Sequence, residues 1–523
     1  MTDPTRRSAL GRIASMAAGA ALLPGQTPAQ QSAAPPLVPF RFEDVVRRAR
    51  DLGSAPYDAS FPPLPEPLAN LEYDAWRDIR FRPERAFLAQ GGGLFRLQLF
   101  HLGFLYRRPV MINVIRDGVP TPIPYQPQLF DYGRTKIERP LPINLGFAGF
   151  RIHYALNDPR VLDELIAFLG ASYFRFLGRE QRYGLSARGL SLGVGASEPE
   201  EFPNFREFWV ELPQPGVERI TVFALLDGAA VTGAYRFDVY PAPETEIEVN
   251  VTLFPRRPIR SMGIAPLTSM FFTGENERRT GDDFRPELHD SDGLLIHSGS
   301  GEWIWRPLRN PARTSISSFS DPNLRGFGLM QRDRSFESYQ DLEAFYHLRP
   351  SYWVEPIGSW GEGRVELIEI PTNAEVHDNM VAHWTPTRPI EAGQETSFAY
   401  RLKSMTAGGN LHPGGKVANS FSAPARASGS PEPADKGARR FLIDFAGGNL
   451  GFYLSDPSLV QVVASASNAR ITATSVVANE HTGGFRATLD VRTEPGQSTD
   501  MRAYLKSGDR ALTETWTYPW IAE

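Results

Sequence analysis

The chain of 523 residues contains no cysteine. That excludes disulfides, thiolate metal sites and a cysteine nucleophile. No run after the N-terminal segment approaches the ~20 apolar residues of a membrane-spanning helix. There is no basic stripe either: the net charge is −5 with both signs mixed along the chain, which argues against a nucleic-acid binder. Histidine and tryptophan are scarce, nine of each. Glycine and proline are not. Forty-six Gly and 45 Pro point to many turns and short strands. An apolar content of 41% with 11% aromatic residues is ample for a packed core.

The N-terminus carries Arg6-Arg7, a weakly apolar run from Ile13 to Leu23, and then Thr27-Pro28-Ala29. This reads as a secretory signal of the twin-arginine kind over residues 1–29, with export to the periplasm. Then "FRFEDVVRRARDLG" spaces Phe42, Val45, Val46, Ala49 and Leu52 as one amphipathic helix ending at Gly53. "TEIEVNVTLF" alternates Ile247, Val249, Val251 and Leu253 with polar residues, the period of a strand. Further strands are expected at "GLFRLQLFHLGFLY", "EFWVEL", "RITVFALLDG", "GAYRFDVYP" and "GRVELIEIP". One helix is expected to interrupt them, with Asp158 as cap, Pro159 in its first turn and a stripe of Val161, Leu162, Leu165, Ile166 and Leu169. The expected fold is therefore mainly β: a large β-sandwich over 38–403, a linker over 404–415, and a small immunoglobulin-like sandwich over 416–523.

The scarce residues are gathered. Residues 289 to 384 hold five of the nine His and five of the nine Trp: Trp303, Trp305, Trp353, Trp360 and Trp384. Aromatic faces stack on sugar rings, and acidic and amide groups bind the ring hydroxyls. A large sandwich core is the plainer home for each Trp alone. Two acidic loops share the window. "ELHDSDG" offers Glu287, Asp290 and Asp292, and "EIPTNAEVHDN" offers Glu369, Glu375 and Asp378 beside Asn373. Glycoside hydrolysis needs one acid that is protonated and one that is ionised. Asp in such a turn also serves as a backbone cap. "YGLSARGL" adds Tyr183 and Arg188, as a sugar-facing loop or a plain turn. His289, His297, Asp290 and Asp378 lack any metal-ligand spacing, and "HSGSGE" lacks the context of a nucleophilic serine. No metal or cofactor is expected.

"LGASYFRFLGREQRYGLSARGL", "EEFPNFREFWVE", "TGAYRFDVYP", "GIAPLTSMFF", "RPELHDSDGLLIHSGSGEWIWRPL", "LRPSYWVEP" and "ELIEIPTNAEVHDNMVAHWTP" occur in this order. Together they resemble the osmoregulated periplasmic glucan biosynthesis proteins of the OpgG and OpgD type. The resemblance implies an anomer-inverting endo-β-1,2-glucanase, or a transglycosylase that closes the glucan into a ring. It implies Asp378 as general acid, Asp290 as general base acting through a relay, and Tyr346 in the same site. Trp303, Trp305 and Arg306 are expected along a sugar groove, together with Tyr183, Arg188, Trp353, Trp360, Glu369, Asn373 and Trp384. The chain reads "NAEVHDN" and "YHLRP" where the family more often has "NDETNDN" and "YDLRP", so the acceptor, water or a sugar hydroxyl, stays open. The alternative reading is a non-catalytic glucan-binding scaffold that assists a membrane glucan synthase. A homodimer is compatible with either. Replacing Arg6 and Arg7 together by Lys should leave unprocessed precursor in the cytoplasm, because a receptor reads the paired arginines. Fractionation and blotting check this, and a normal periplasmic yield would contradict it.

Overall fold

The computed structural model describes residues 38–522, except 90–92, 138–139, 197–198, 278–281, 407–410, 427–428, 430, 432–434 and 436. The expected signal segment, 1–29, lies outside the described residues. What remains is mainly β, a sandwich of large antiparallel sheets.

Among the described residues, ten strands form a first sheet and fifteen a second. The first begins with Arg96–Phe100, Gly149–Tyr154, Asp163–Leu169 and Tyr173–Phe176. It continues through Ser186–Arg188, Met262–Ser269, Met380–Pro386 and Gly363–Glu369, and ends at Ser315–Asp321. Apolar side chains of both sheets meet in one large core, with Phe150, Phe168 and Phe174 facing Phe205, Phe208 and Phe237. The alternation in Glu246–Pro255 is realised as read: Ile247, Val249, Val251 and Leu253 are all buried. The helix Phe42–Gly53 also forms. It buries Val45 and Ala49 against the outer side of the second sheet, among Trp209, Phe223 and Phe254.

The expected helix from Asp158 to Leu169 is not there. Asp158 instead closes a turn, accepting the amide of Arg160 at 2.9 Å. Asp163–Leu169 is then a strand, antiparallel to Gly149–Tyr154 on one side and Tyr173–Phe176 on the other. Leu165, Ile166 and Phe168 are buried, whereas Val161 and Leu162 stay exposed. The helical stripe was a coincidence of spacing. Two neighbouring strands supply a ladder for every backbone group, and that outweighs a weak helical preference. "GLFRLQLFHLGFLY" likewise yields a strand only over Arg96–Phe100.

The strand Thr396–Met405 closes the run before the expected linker, and the next strand begins at Lys416. Beyond it, Lys416–Pro424, Ala438–Ala446, Gly484–Arg492 and Arg470–Asn479 form a four-stranded sheet. Three other C-terminal strands, Gln461–Ala466, Ser498–Ser507 and Thr515–Ile521, extend the second sheet instead. The join is a short parallel pairing of Ile304 with Thr515 and Trp305 with Trp516. A second apolar core straddles this seam and takes Leu295, Trp305, Met330 and Trp353 from one side and Phe441, Phe485 and Trp516 from the other. Glu514 is buried at the seam. It accepts Arg332 through both oxygens, at 2.5 and 3.0 Å, and the Val417 amide at 2.8 Å. Removing one partner of such a pair strands the other charge. Glu514→Ala should therefore cost about 3 kcal/mol, read as a lowered midpoint of urea unfolding, and an unchanged midpoint would contradict the seam's role.

Candidate functional site

Two short strands, Phe271–Thr273 and Leu288–His289, pair and carry the turn that begins at Asp290. The Asp290 amide donates to the Met270 carbonyl at 2.8 Å, which fixes the turn. The two aspartates of "DSDG" then part company. Asp292 accepts the amides of Arg332 and Asp333 at 2.6 and 2.8 Å, so it is a backbone cap. Asp290 spends its carboxylate on a side chain, the guanidinium of Arg349.

Arg349 in turn lies over the ring of Tyr346, 3.8 Å from its centroid. Tyr346 donates its hydroxyl to Glu375 at 3.4 Å. Glu375 also pairs with Arg285 at 2.8 Å, and Arg285 with Asp341 at 3.1 Å. Asp341 accepts the Ala344 amide at 2.7 Å, and the Ala344 carbonyl accepts Arg349 at 3.3 Å. The network closes on itself, so Asp290 and Tyr346 are held from several directions. Phe345, just before Tyr346, takes a left-handed φ of +49°. A bulky residue tolerates that only where its surroundings impose it. Burial pushes the Tyr346 hydroxyl up to about 12 against the pull of Arg349, so it is a neutral donor at ordinary pH.

Asp378 arrives from the other acidic loop. Its neighbour Asn379 is buried and does the positioning. The Asn379 side chain accepts the Phe271 amide at 2.9 Å and donates to the carbonyls of Phe271 and Ile370, each at 3.0 Å. The "DN" pair is thus one residue that clamps and one that is presented. The Asp378 side chain is 38% exposed, facing Arg175 at 3.7 Å. Its surroundings raise its pKa. Partial burial is the largest cause; Arg175 opposes it, and the negative charge of Asp290 adds to it. An acid that resists ionisation is suited to give a proton, and an Arg-paired carboxylate is suited to stay charged.

Arg175 belongs to a polar row on the outer face of the first sheet. Cross-strand pairing aligns it with Ala167, Arg151 and Gln98. Arg175 donates to Ser186 at 2.7 Å. Glu164 joins Arg151 at 2.9 Å and the hydroxyl of Tyr183 at 2.9 Å, so Tyr183 reaches this row while most of its ring is packed. Arg188 is buried, pairs with Glu200 at 2.6 Å and lies over Tyr173 at 4.9 Å.

The tryptophans behave otherwise. Trp305, Trp353 and Trp384 are buried and have no face to offer a sugar. Trp305 and Trp353 belong to the seam core, where glycines make room for them. A Cβ at Gly293 would stand 2.2 Å from Trp305, and one at Gly326 2.4 Å from Trp353. Trp303 is half-buried, stacked 4.0 Å from His297 and 5.7 Å from Trp353. Trp360 is half-buried against Trp384, Phe398 and Tyr400. Arg306 and Glu369 are buried together at 2.8 Å, and Arg309 shares the carboxylate at 3.3 Å. These seven expected site residues, the five tryptophans with Arg306 and Glu369, are taken up by packing and ion pairing. Asn373 is exposed on the Asp378 loop. Sequence reasoning missed Arg349, Arg175 and Asn379. The first and last sit inside motifs already singled out, "YHLRP" and "HDN", and an arginine beside a candidate base is a readable signal. Because Arg175 opposes the upward shift, Arg175→Met should raise the Asp378 pKa further. Carbon-13 titration of the carboxylate checks the direction, and a lowered value would contradict the assignment.

Comparison with known proteins shows the family. The family model described as "Periplasmic glucan biosynthesis protein, MdoG" matches residues 40–520. Glucans biosynthesis protein G of Ralstonia nicotianae is 45% identical over 92% of this chain and 95% of its own. The protein of the same name from Rhodopseudomonas palustris is 45% identical over 98% of this chain and 99% of its own. A probable glucans biosynthesis protein D of Shewanella oneidensis is 42% identical over 94% of this chain and 91% of its own. Among the described residues no helix is long and apolar enough to cross a membrane. The chain is a member of the periplasmic glucan biosynthesis protein family.

Proposed function

We propose that this chain acts in the periplasm on linear β-1,2-glucan as an anomer-inverting glycoside hydrolase or transglycosylase. The observation that carries the reading is the split between two aspartates at one site. Asp378 has its proton affinity raised and is reachable by solvent. Asp290 is buried and ion-paired with the Arg349 guanidinium. Inverting hydrolysis asks for this pair of environments, one acid and one base.

In this reading Asp378 protonates the glycosidic oxygen as the bond to the anomeric carbon breaks. The proton of the attacking hydroxyl must end on Asp290. That carboxylate is buried, so the proton travels through an intervening hydroxyl, and Tyr346 with its network keeps the neighbouring groups in register. No carboxylate attacks the sugar, so the new bond forms on the opposite face and the anomeric centre inverts. With water as acceptor the product is a linear oligosaccharide with an α reducing end. With a sugar hydroxyl as acceptor it is an α-linked, cyclic or extended glucan. The outer-face row from Arg175 to Arg151 and Gln98 supplies donors and acceptors for sugar hydroxyls beside the acids.

One experiment covers the roles and the stereochemistry. Proton NMR of the full-length protein with linear β-1,2-glucan should show α products. Asp378→Asn and Asp290→Asn should each lower the rate by at least ~10²-fold, the scale of a positioned acid or base, while glucan binding persists. Wild-type rates in either variant, or a new β reducing end, would overturn the assignment.

A further inference from the structure

A cavity of about 1200 Å³ lies away from the two aspartates. It lies between the last strand of the first sheet, Ser315–Asp321, and the C-terminal strand Thr515–Ile521. Both present open edges. Ser315–Asp321 pairs with Gly363–Glu369 through seven regular positions and, among the described residues, with no strand on its other side. It has no proline, lysine or bulge to guard it, the devices that edges ordinarily carry. The C-terminal strand pairs with Trp303–Pro307 only at Thr515 and Trp516, so that edge is open from Thr517 to Ile521.

The walls suit a polyhydroxylated chain. Arg309 spans them, donating to Ser315 at 3.0 Å and to the Pro519 carbonyl at 3.3 Å. Arg313 is exposed with no ion pair among the described residues, and Arg439 spends one bond on Ser422 at 2.8 Å. Unspent guanidinium donors and serine hydroxyls bind sugar hydroxyls, and the half-buried Phe319 offers apolar surface for ring C–H faces. The volume exceeds the ~300–1,000 Å³ typical of small-molecule sites, so the cavity admits several rings.

The cavity also touches the acid loop. Asn310, on its wall, accepts the Thr372 amide at 2.9 Å and donates to the Thr372 carbonyl at 2.8 Å. The Asn310 amide is itself held by Glu277 at 3.0 Å. Thr372 begins the loop that ends in Asp378, and its hydroxyl meets His377 at 3.0 Å.

We propose that this cavity is a second saccharide site, which holds a part of the glucan chain remote from the reacting bond and abuts the acid loop through Asn310. The inference rests on the glucan reading above and adds a site to it. A long chain would then engage two places at once, and the second contact becomes intramolecular. The ligand is the substrate itself, bound without chemistry.

Hydrogen exchange of the full chain carrying Asp378→Asn, with and without long linear β-1,2-glucan, tests this directly. Exchange should slow at 315–319 and 517–521 as well as near Asp290 and Asp378. Arg313→Ala, at an exposed position, and Ser317→Trp, which fills the cavity, should each weaken long-chain binding roughly 10-fold, the modest end of what a linked contact adds. Short oligosaccharides should show little of this difference. Protection near the acids without protection at the two edges overturns the second site alone, as does wild-type long-chain affinity in both variants. No protection anywhere overturns the substrate reading itself.

Discussion

A carboxylate taken out of water must be given a cation or a proton, and much of this molecule is arranged around that demand. Glu369 receives Arg306 and Arg309, Glu514 receives Arg332, and Asp290 receives Arg349. Each pairing joins segments far apart in sequence, so each also fixes a piece of the architecture. Asp378 is the exception among the acids of the site. Its arginine stands back at 3.7 Å, and partial burial is left to act on its proton. The chemistry proposed for the site follows from that unequal treatment.

The same demand explains why a buried base is workable. Asp290 is not free to meet a sugar hydroxyl, because its turn is pinned to Met270 and its oxygen is committed to Arg349. Held in this way it cannot wander, and in the proposed chemistry it receives a proton that is brought to it. Behind it, burial favours the neutral form of His289, yet the Glu287 carboxylate at 3.0 Å raises its pKa to about 9. Gln331 ties the His289 carbonyl to that of Tyr346, at 2.9 and 3.3 Å. The turn, the tyrosine and the buried histidine therefore move as one body.

Much of the fold is written locally. The alternation of Glu246–Pro255 and the stripe of Phe42–Gly53 each depend on their own residues, and both form as read. Asp158–Leu169 fails because its stripe fits either period, and only the neighbouring strands decide between them. The tryptophans mislead for a similar reason. Their clustering is real, but Trp303, Trp305 and Trp353 belong to one crowded seam where Gly293, Gly326 and Gly328 leave room for indoles, while Trp360 and Trp384 pack in the main core. Composition cannot tell a ring that faces a sugar from one that faces a glycine. The parallel join of Ile304 to Thr515 spans over two hundred residues, and no local pattern announces it. Of the site, motif resemblance supplies Asp290, Tyr346 and Asp378. Arg349 and Asn379 stand beside them in the same motifs, and their tasks become visible only when the partners are in place.

The departures within the motifs fall on different footings once the contacts are known. Ala374 and Val376 stand in the acid loop, and Val376 is 81% exposed. They remove polar groups from the rim without touching the Asn379 clamp. His347 follows Tyr346 with its ring edge-on to Phe336 at 5.6 Å, turned to packing rather than to Asp290. His377 is bound back to Thr372. The contacts of Asp290, Tyr346 and Asp378 are therefore untouched, and what changes is the polarity of the loop above them. A less polar rim holds fewer waters near the acids, and an acceptor sugar competes best where water is sparse. In the proposed chemistry the choice between hydrolysis and transfer then rests on this rim rather than on the aspartates, which would serve both reactions alike.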